Sequence, residues 1–286
     1  MVIGGSKKDV IENIKKNILS NSLNNKVETG DPNLSEEEVK KVINNFYENK
    51  KKWNYVFKNR TASKIVKKFA CETGNIEVEG IHNLDGLNLD NGAIITVNHF
   101  NPLDSYAPRK VVEDILNKKM YIVIEDTNLA MSGNIGFLMN YLDVIPITKS
   151  PNYLINKFKP ELKDVLNKGN IVLIYPEEEM WFNYRKPRPC KRGAYQFASE
   201  FNVPIISCFV EIVDLGVLDN DEFNKVKYIV HILNCIYPDS SKSVRANSID
   251  MANKDYEQKK EAYEKAYNKK LIYDFDISDI AGFRND

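Results

Sequence analysis

Residues 93–104, AIITVNHFNPLD, decide how the rest of this chain is read. The run 93–97 has the character of a strand buried on both faces, and residues 103–116 carry apolar side chains at helical spacing. Residues 98–104 therefore occupy a strand-to-helix turn. Asn101 suits an N-cap and Pro102 suits the first helical position, where its missing N–H costs nothing, so Asp104 is expected inside the first helical turn. From there its carboxylate can reach back to His99. A carboxylate on one imidazole nitrogen fixes the tautomer and stabilises the imidazolium, which leaves the other nitrogen to take a proton from a hydroxyl. The same spacing fits a capping interaction in which Asp104 complements the helix dipole and His99 is an ordinary turn residue. Spacing alone does not choose between them.

Working outward, strand-like runs recur at 76–78, 120–124, 144–147, 171–175, 204–213 and 226–236, with helical patterns between many of them. Leu154, Ile155, Phe158, Leu162, Val165 and Leu166 form one helical face, interrupted at Pro160 and stopped by Gly169. Apolar strands alternating with helices predict an α/β fold: a mostly parallel or mixed central sheet flanked by helices. In such sheets the site lies beyond the carboxyl ends of strands. His99 and Glu177 both follow strand-like runs at that end, so one cleft can hold both.

The order of blocks carries a resemblance. NHFNPLD is followed by a segment ending in IPITKS, a strand ending in YPE, and GAYQFASEFNVPII. Over residues 76–209 this resembles the glycerolipid acyltransferase family, which includes the bacterial 1-acylglycerol-3-phosphate acyltransferases. The resemblance implies a glycerol-3-phosphate acyltransferase-like fold and a catalytic dyad of His99 and Asp104. It places Lys149 at the second block's basic position and makes Glu177 a polar residue shaping the acceptor pocket. It also implies an acyl donor that is a substrate, acyl-CoA or acyl-carrier protein, with no bound cofactor, and a membrane lipid acceptor such as a lysophospholipid.

Two departures bear on phosphate recognition. The family's third block reads FPEGTRS, whereas here Glu178, Glu179 and Met180 replace its Gly-Thr-Arg. Lys149 keeps the second-block charge but lacks the planar fork that binds phosphate at two points. Just downstream, NYRKPRPCKRG gathers Arg185, Lys186, Arg188, Lys191 and Arg192. This loop either binds an anionic head group or the acyl carrier's phosphates, or is a solvated basic loop. Met180, Trp181 and Phe182 suit either an acyl-facing wall or a core. Two other classes remain open: a lipid-binding scaffold without turnover, and a thioesterase-like hydrolase in which the dyad activates water. An oxyanion stabiliser is required for acyl transfer, with backbone amides near the helix start and Lys149 as candidates.

Composition bounds the remainder. The chain has 286 residues, 43% hydrophobic, with Lys+Arg and Asp+Glu equal at 40. That balance gives no electrostatic case for nucleic acid. Three adjacent glutamates, 177–179, lack a His or Asp at ligand spacing, so no metal site is expected. Cys71, Cys190, Cys208 and Cys235 form no C-x-x-C pair and suggest free thiols; Cys190, beside cations, is either a filler residue or a thiol of lowered pKa. His82 and His231 fit no motif and are expected to be structural. No apolar run is long enough to span a bilayer, and no signal-peptide pattern follows Met1, so a cytoplasmic protein, peripheral on the inner membrane face, is expected.

Three regions are anticipated. Residues 1–34 read as a polar, mobile arm with a weak helical pattern at Val10, Ile14 and Ile18. Residues 35–75 open on a capping box, Ser35 and Glu38, and form two basic amphipathic helical segments that either pack on the core or lie in a membrane interface. In the second of these, Ile65, Val66 and Phe69 share a side. Residues 76–286 form the catalytic domain, with 215–225 a polar loop and 249–271 a charged, Tyr-rich helix.

Overall fold

A computed structural model describes residues 6–30, 32–72 and 76–284, without the side chains of 69–72; Phe69 and Cys71 of the sequence reading lie outside the described side chains. Seven strands form one sheet: β1 (Glu77–Glu79), β2 (Ala93–Thr96), β3 (Met120–Glu125), β4 (Val144–Ile147), β5 (Ile171–Leu173), β6 (Ile205–Leu218) and β7 (Asn224–Ile232). Their order is β1-β7-β6-β2-β5-β3-β4. β6, β2, β5, β3 and β4 run parallel, whereas β7 is antiparallel to β6 and carries β1 alongside it in its own direction. This is the mixed α/β sheet expected from the alternating apolar runs. β2 lies in its middle, so the residues that follow it emerge at the centre of the carboxyl edge.

Successive side chains on a strand point to opposite faces. Ala93, Ile95 and Val97 accordingly enter one apolar cluster with Ile171, Leu173, Ile206, Cys208 and Val210, while Ile94, Val172 and Ile205 enter the other. Strands buried on both faces need no polar alternation, which is why they read as continuous apolar runs. The first face is covered by α2 (Glu36–Lys50), α3 (Tyr55–Glu72), α4 (Tyr106–Arg109) and α5 (Gly133–Tyr141). The second is covered by α7 (Lys159–Asn167), α8 (Gly193–Phe201) and α9 (Val244–Tyr267); the short α6 (Pro151–Tyr153) precedes α7.

The capping box forms as expected. Ser35 Oγ accepts from the Glu38 N–H at 3.3 Å, and the Glu38 carboxylate accepts the Ser35 N–H at 2.8 Å. Ile43 and Phe46 of α2 and Ala62 and Val66 of α3 are buried in the first core cluster, so both helices pack on the domain. Their unburied apolar residues gather near the turn between them: Trp53 is 93% exposed and Phe57 73%, with Val56 beside them. Among the described residues no helix is long and apolar enough to cross a membrane.

Three expectations need correction. Within the expected arm 1–34, the described residues 6–30 are not free. They contain α1 (Lys8–Leu19), whose Val10, Ile11, Ile14 and Ile18 pack with Leu23 and Val27 onto Trp181, Phe182, Tyr184, Phe223 and Ile280. Each such aliphatic side chain contributes about 1.5–3 kcal/mol when fully buried, enough to hold a helix whose other face is polar. Trp181 and Phe182 are thus core residues rather than an acyl-facing wall.

The helix after the dyad also begins late, at Tyr106 instead of Pro102. Asn101 folds back as a local turn, its Oδ1 accepting the Leu103 N–H at 3.1 Å and its carbonyl accepting the Asp104 N–H at 3.0 Å. Asn side chains bond readily to the backbone two residues on, and here that turn displaces the first helical turn. The 215–225 region is likewise a hairpin, because β6 continues to Leu218 before β7 returns.

Candidate active site

The dyad sits on the loop leaving β2. Asn98 fixes that loop to the neighbouring strand: its Nδ2 donates to the Val210 carbonyl at 3.1 Å and its Oδ1 accepts the Val210 N–H at 2.8 Å. Asp104, 2% exposed, turns back into the loop. Its Oδ2 lies 2.8 Å from His99 Nδ1 and also accepts the N–H groups of Phe100 at 2.8 Å and Asn101 at 3.1 Å. An ionised carboxylate accepts from Nδ1–H, so the unprotonated lone pair is on Nε2. The imidazole remains 20% exposed, and Nε2 carries no protein partner among the described residues. Both alternatives of the sequence reading coexist, since Asp104 closes the turn and orients the imidazole.

A neighbour the motif did not single out completes the pair. Tyr175, which follows β5, stacks on His99 with ring centroids 3.8 Å apart and planes within 16°. Its hydroxyl donates to Asp104 Oδ1 at 2.5 Å. Burial, and then the Asp104 charge, push its pKa well above the ordinary phenol value, which keeps it a donor. The clue in the sequence was the Tyr of YPE standing where the resembled block has Phe.

Glu177 is buried and does not line an open acceptor pocket, contrary to expectation. Its Oε2 accepts the His99 backbone N–H at 3.2 Å and faces the Arg188 guanidinium, with Nη2 at 2.8 Å and Nε at 3.1 Å; Oε1 accepts the Arg188 N–H at 2.8 Å. A carboxylate and a guanidinium removed from water require such mutual pairing. The third-block loop is further stitched to the dyad loop by Trp181 N–H to His99 O at 3.1 Å and Asn183 N–H to Phe100 O at 2.8 Å. The N-terminal segment adds Asn24, whose Nδ2 donates to the carbonyls of Glu177 and Pro189 at 3.2 and 2.9 Å.

The basic loop is not a solvated cluster of cations. Besides Arg188 on Glu177, Lys186 is buried between Asp274 and Asp279, at 2.9 and 2.6 Å, and Arg185 pairs with Asp214 at 2.5 Å. Only the exposed Lys191 and Arg192 stay without an ion pair among the described residues; Arg192 points into an open groove with Gln196 and Arg245, between α8 and α9. Lys149 follows β4, three strands from β2 in the sheet order, roughly 14 Å across at the usual strand spacing. The structure therefore unites His99, Asp104, Glu177 and Arg188, and leaves Lys149, Arg185 and Arg192 apart from them.

Neither oxyanion candidate survives as drawn. The amides of Phe100, Asn101 and Leu103 already donate within the turn, Pro102 has none, and Lys149 lies at the sheet edge. Cys190 is a filler rather than an activated thiol, since burial pushes its pKa up to about 12 against the smaller opposing pull of Lys259. His231 is structural, with Nε2 2.8 Å from Glu211 and Nδ1 3.3 Å from Glu79.

Glu178 occupies a left-handed backbone position, φ 64°, with its carboxylate exposed. A Cβ there is strained, and the resembled block has Gly at that position. Glu178→Gly is expected to raise stability by about 0.5–1 kcal/mol, once the greater freedom of Gly in the unfolded chain is set against the relieved strain. A lower melting temperature in the variant would contradict this.

Residues 75–211 match the family model described as Acyltransferase. The fold is similar to the crystal structure of the 1-acyl-sn-glycerophosphate (LPA) acyltransferase, PlsC, from Thermotoga maritima, with 14% identity and a TM-score of 0.48 over 75% of this chain and 81% of that one. No curated protein matches the chain.

Proposed function

We propose that this chain, whose residues 75–211 match the acyltransferase family model, moves a fatty acyl group from a thioester, acyl-CoA or acyl-carrier protein, to a hydroxyl of a lysophospholipid such as 1-acylglycerol-3-phosphate or a related membrane lipid. The observation that carries the proposal is the His99 Nδ1–Asp104 contact at 2.8 Å, which leaves Nε2 unpaired at the carboxyl edge of the sheet. Nε2 takes the acceptor's hydroxyl proton as that oxygen bonds to the thioester carbonyl carbon. The tetrahedral intermediate collapses with cleavage of the C–S bond, and the proton passes from His99 to the departing thiolate. Ester and free thiol are the products, and no covalent acyl-enzyme is required.

The third-block loop bears on the acceptor. Arg185, Lys186 and Arg188 are each neutralised by an acid, so among the described residues the loop offers an acceptor phosphate only Lys191 and Arg192 as cations without an ion pair. This supports a second reading, in which the acceptor is a lipid alcohol without a phosphate. Peripheral attachment to the cytoplasmic membrane face belongs to the same proposal. It is supported by Trp53, Val56 and Phe57, exposed among the lysines of α2 and α3, a composition suited to a lipid interface.

The test measures thiol release and lipid product from long-chain acyl-CoA and acyl-carrier protein, with lysophosphatidic acid or with non-phosphorylated lipid alcohols as acceptor. Ester formed only when acceptor is supplied is the expected result. Fatty acid released at the same rate with and without acceptor would identify a hydrolase instead, and lipid binding without thiol release a scaffold.

A further inference from the structure

We propose that Tyr175 is a positioning residue of the dyad: its hydroxyl satisfies the Asp104 oxygen that His99 does not use, while its ring fixes the plane of the imidazole. For its catalytic consequence the inference rests on the general-base reading of His99. Its structural content does not.

The two carboxylate oxygens of Asp104 are served unequally. Oδ2 receives the imidazole and two backbone N–H groups, whereas the bond recorded for Oδ1 is the Tyr175 hydroxyl at 2.5 Å. At 2% exposure Asp104 has little access to water, and an ionised oxygen buried without a donor is costly. Phe at position 175 would keep the ring contact with His99 and lose this donor. The hydroxyl therefore does something that aromatic packing does not.

Donation by Tyr175 also draws charge from Asp104, which tempers its hold on the His99 proton. Loss of the donor would leave more negative charge on the carboxylate that faces His99 Nδ1 at 2.8 Å, and so favour a proton on the imidazole. The other groups around the pair do not reproduce the effect. Glu177, from the loop after β5, is matched by Arg188, and Glu178 is turned to solvent. From β7, Tyr228 faces Asp104 as a phenol kept neutral by burial, with Tyr106 of α4 beside it. Arg109 of α4 acts on Tyr175 and is itself ion-paired with Glu113.

The test is Tyr175→Phe, read first by NMR titration of the His99 ring. The chain has three histidines, so His99→Ala assigns the signal and His82 and His231 serve as internal references. The His99 midpoint is expected to rise by about half a pH unit to one unit, with the references unmoved. An unchanged midpoint overturns the proposal. In acyl transfer the acidic limb of kcat/KM should move in the same direction, with kcat lowered about tenfold and KM little affected; an active variant whose limb stays in place also overturns it.

A shifted midpoint in a protein that transfers no acyl group would reject the proposed function and leave the role of Tyr175 standing. If Tyr175→Phe does not fold, the wild-type protein still decides. A slowly exchanging downfield hydroxyl proton correlated with the Tyr175 ring is expected, and its absence counts against the bond.

Discussion

His99→Ala is expected to lower kcat/KM for acyl transfer by about 10²- to 10⁴-fold, the range lost when a positioned general base is removed. Stability should change little. The side chain is partly exposed, and its removal costs one hydrogen bond to Asp104 and the stack on Tyr175. Asp104 keeps three donors, from Phe100, Asn101 and Tyr175, so the turn that shapes the loop survives. The loop's other anchors, Asn98 on Val210 and Glu177 on the His99 N–H, involve no atom of the imidazole. Thiol release with acceptor present, alongside thermal melts, measures both halves. Retention of wild-type rate in the folded variant would remove the general-base reading altogether.

Asp104→Asn is the informative companion, because an amide can present its N–H to the imidazole and impose the opposite tautomer. It should be nearly as inactive, while costing more stability than His99→Ala. Asp104 is buried and accepts four hydrogen bonds, of which an amide oxygen can keep only some.

The sheet was legible because burial on both faces leaves apolar runs, and those runs at 93–97, 120–124 and 144–147 became β2, β3 and β4 to within a residue. The dyad was legible because His99 and Asp104 meet through a local turn whose signals, Asn101 and Pro102, are also local. What sequence did not disclose is pairing between distant segments. Lys186 looks like one cation in a basic loop until Asp274 and Asp279 arrive from the C-terminal region to surround it. Glu177 looks like a pocket residue until Arg188 is seen folded onto it. The polar composition of α1 concealed a buried face of four aliphatic residues, whose partners, Trp181 and Phe182 among them, lie more than 150 residues away. In each case periodicity described the segment, and burial was decided by what packs against it.

The same limit hid the largest stability determinant expected outside the dyad, on helix α9, which reads as charged and Tyr-rich. Asp255 and Lys259, one helical turn apart, are both fully buried and 2.5 Å apart. Asp255 also accepts the hydroxyls of Thr96 at 2.7 Å, Tyr195 and Ser207, joining α9 to β2, α8 and β6. Lys259 donates in turn to Thr96 Oγ1 at 3.0 Å. Desolvation, the largest single influence, works to lower the Lys259 pKa, but the attractions of Asp255, Cys190 and Glu177 together outweigh it and the net shift is upward. A cation whose folded pKa is raised contributes its stability below the unfolded value and loses it as pH rises through the folded one, so the contribution is complete at neutral pH.

Lys259→Met is therefore expected to cost about 3–5 kcal/mol at neutral pH, because it strands a charged carboxylate in the core, and to lower the melting temperature by on the order of 10 °C. Asp255→Asn combined with Lys259→Met removes the stranded charge while keeping an oxygen for Ser207, and should recover at least half of that loss. A single variant that melts like wild type, or a double variant less stable than the single, would show that the pair is not an uncompensated-charge device. Thr96 lies three residues before His99 on the same strand and loop. Where Lys259→Met remains folded, it should therefore also lower kcat more than it changes KM, as Thr96 of β2 loses one of its two polar contacts on the far face of the sheet and keeps only that to Asp255.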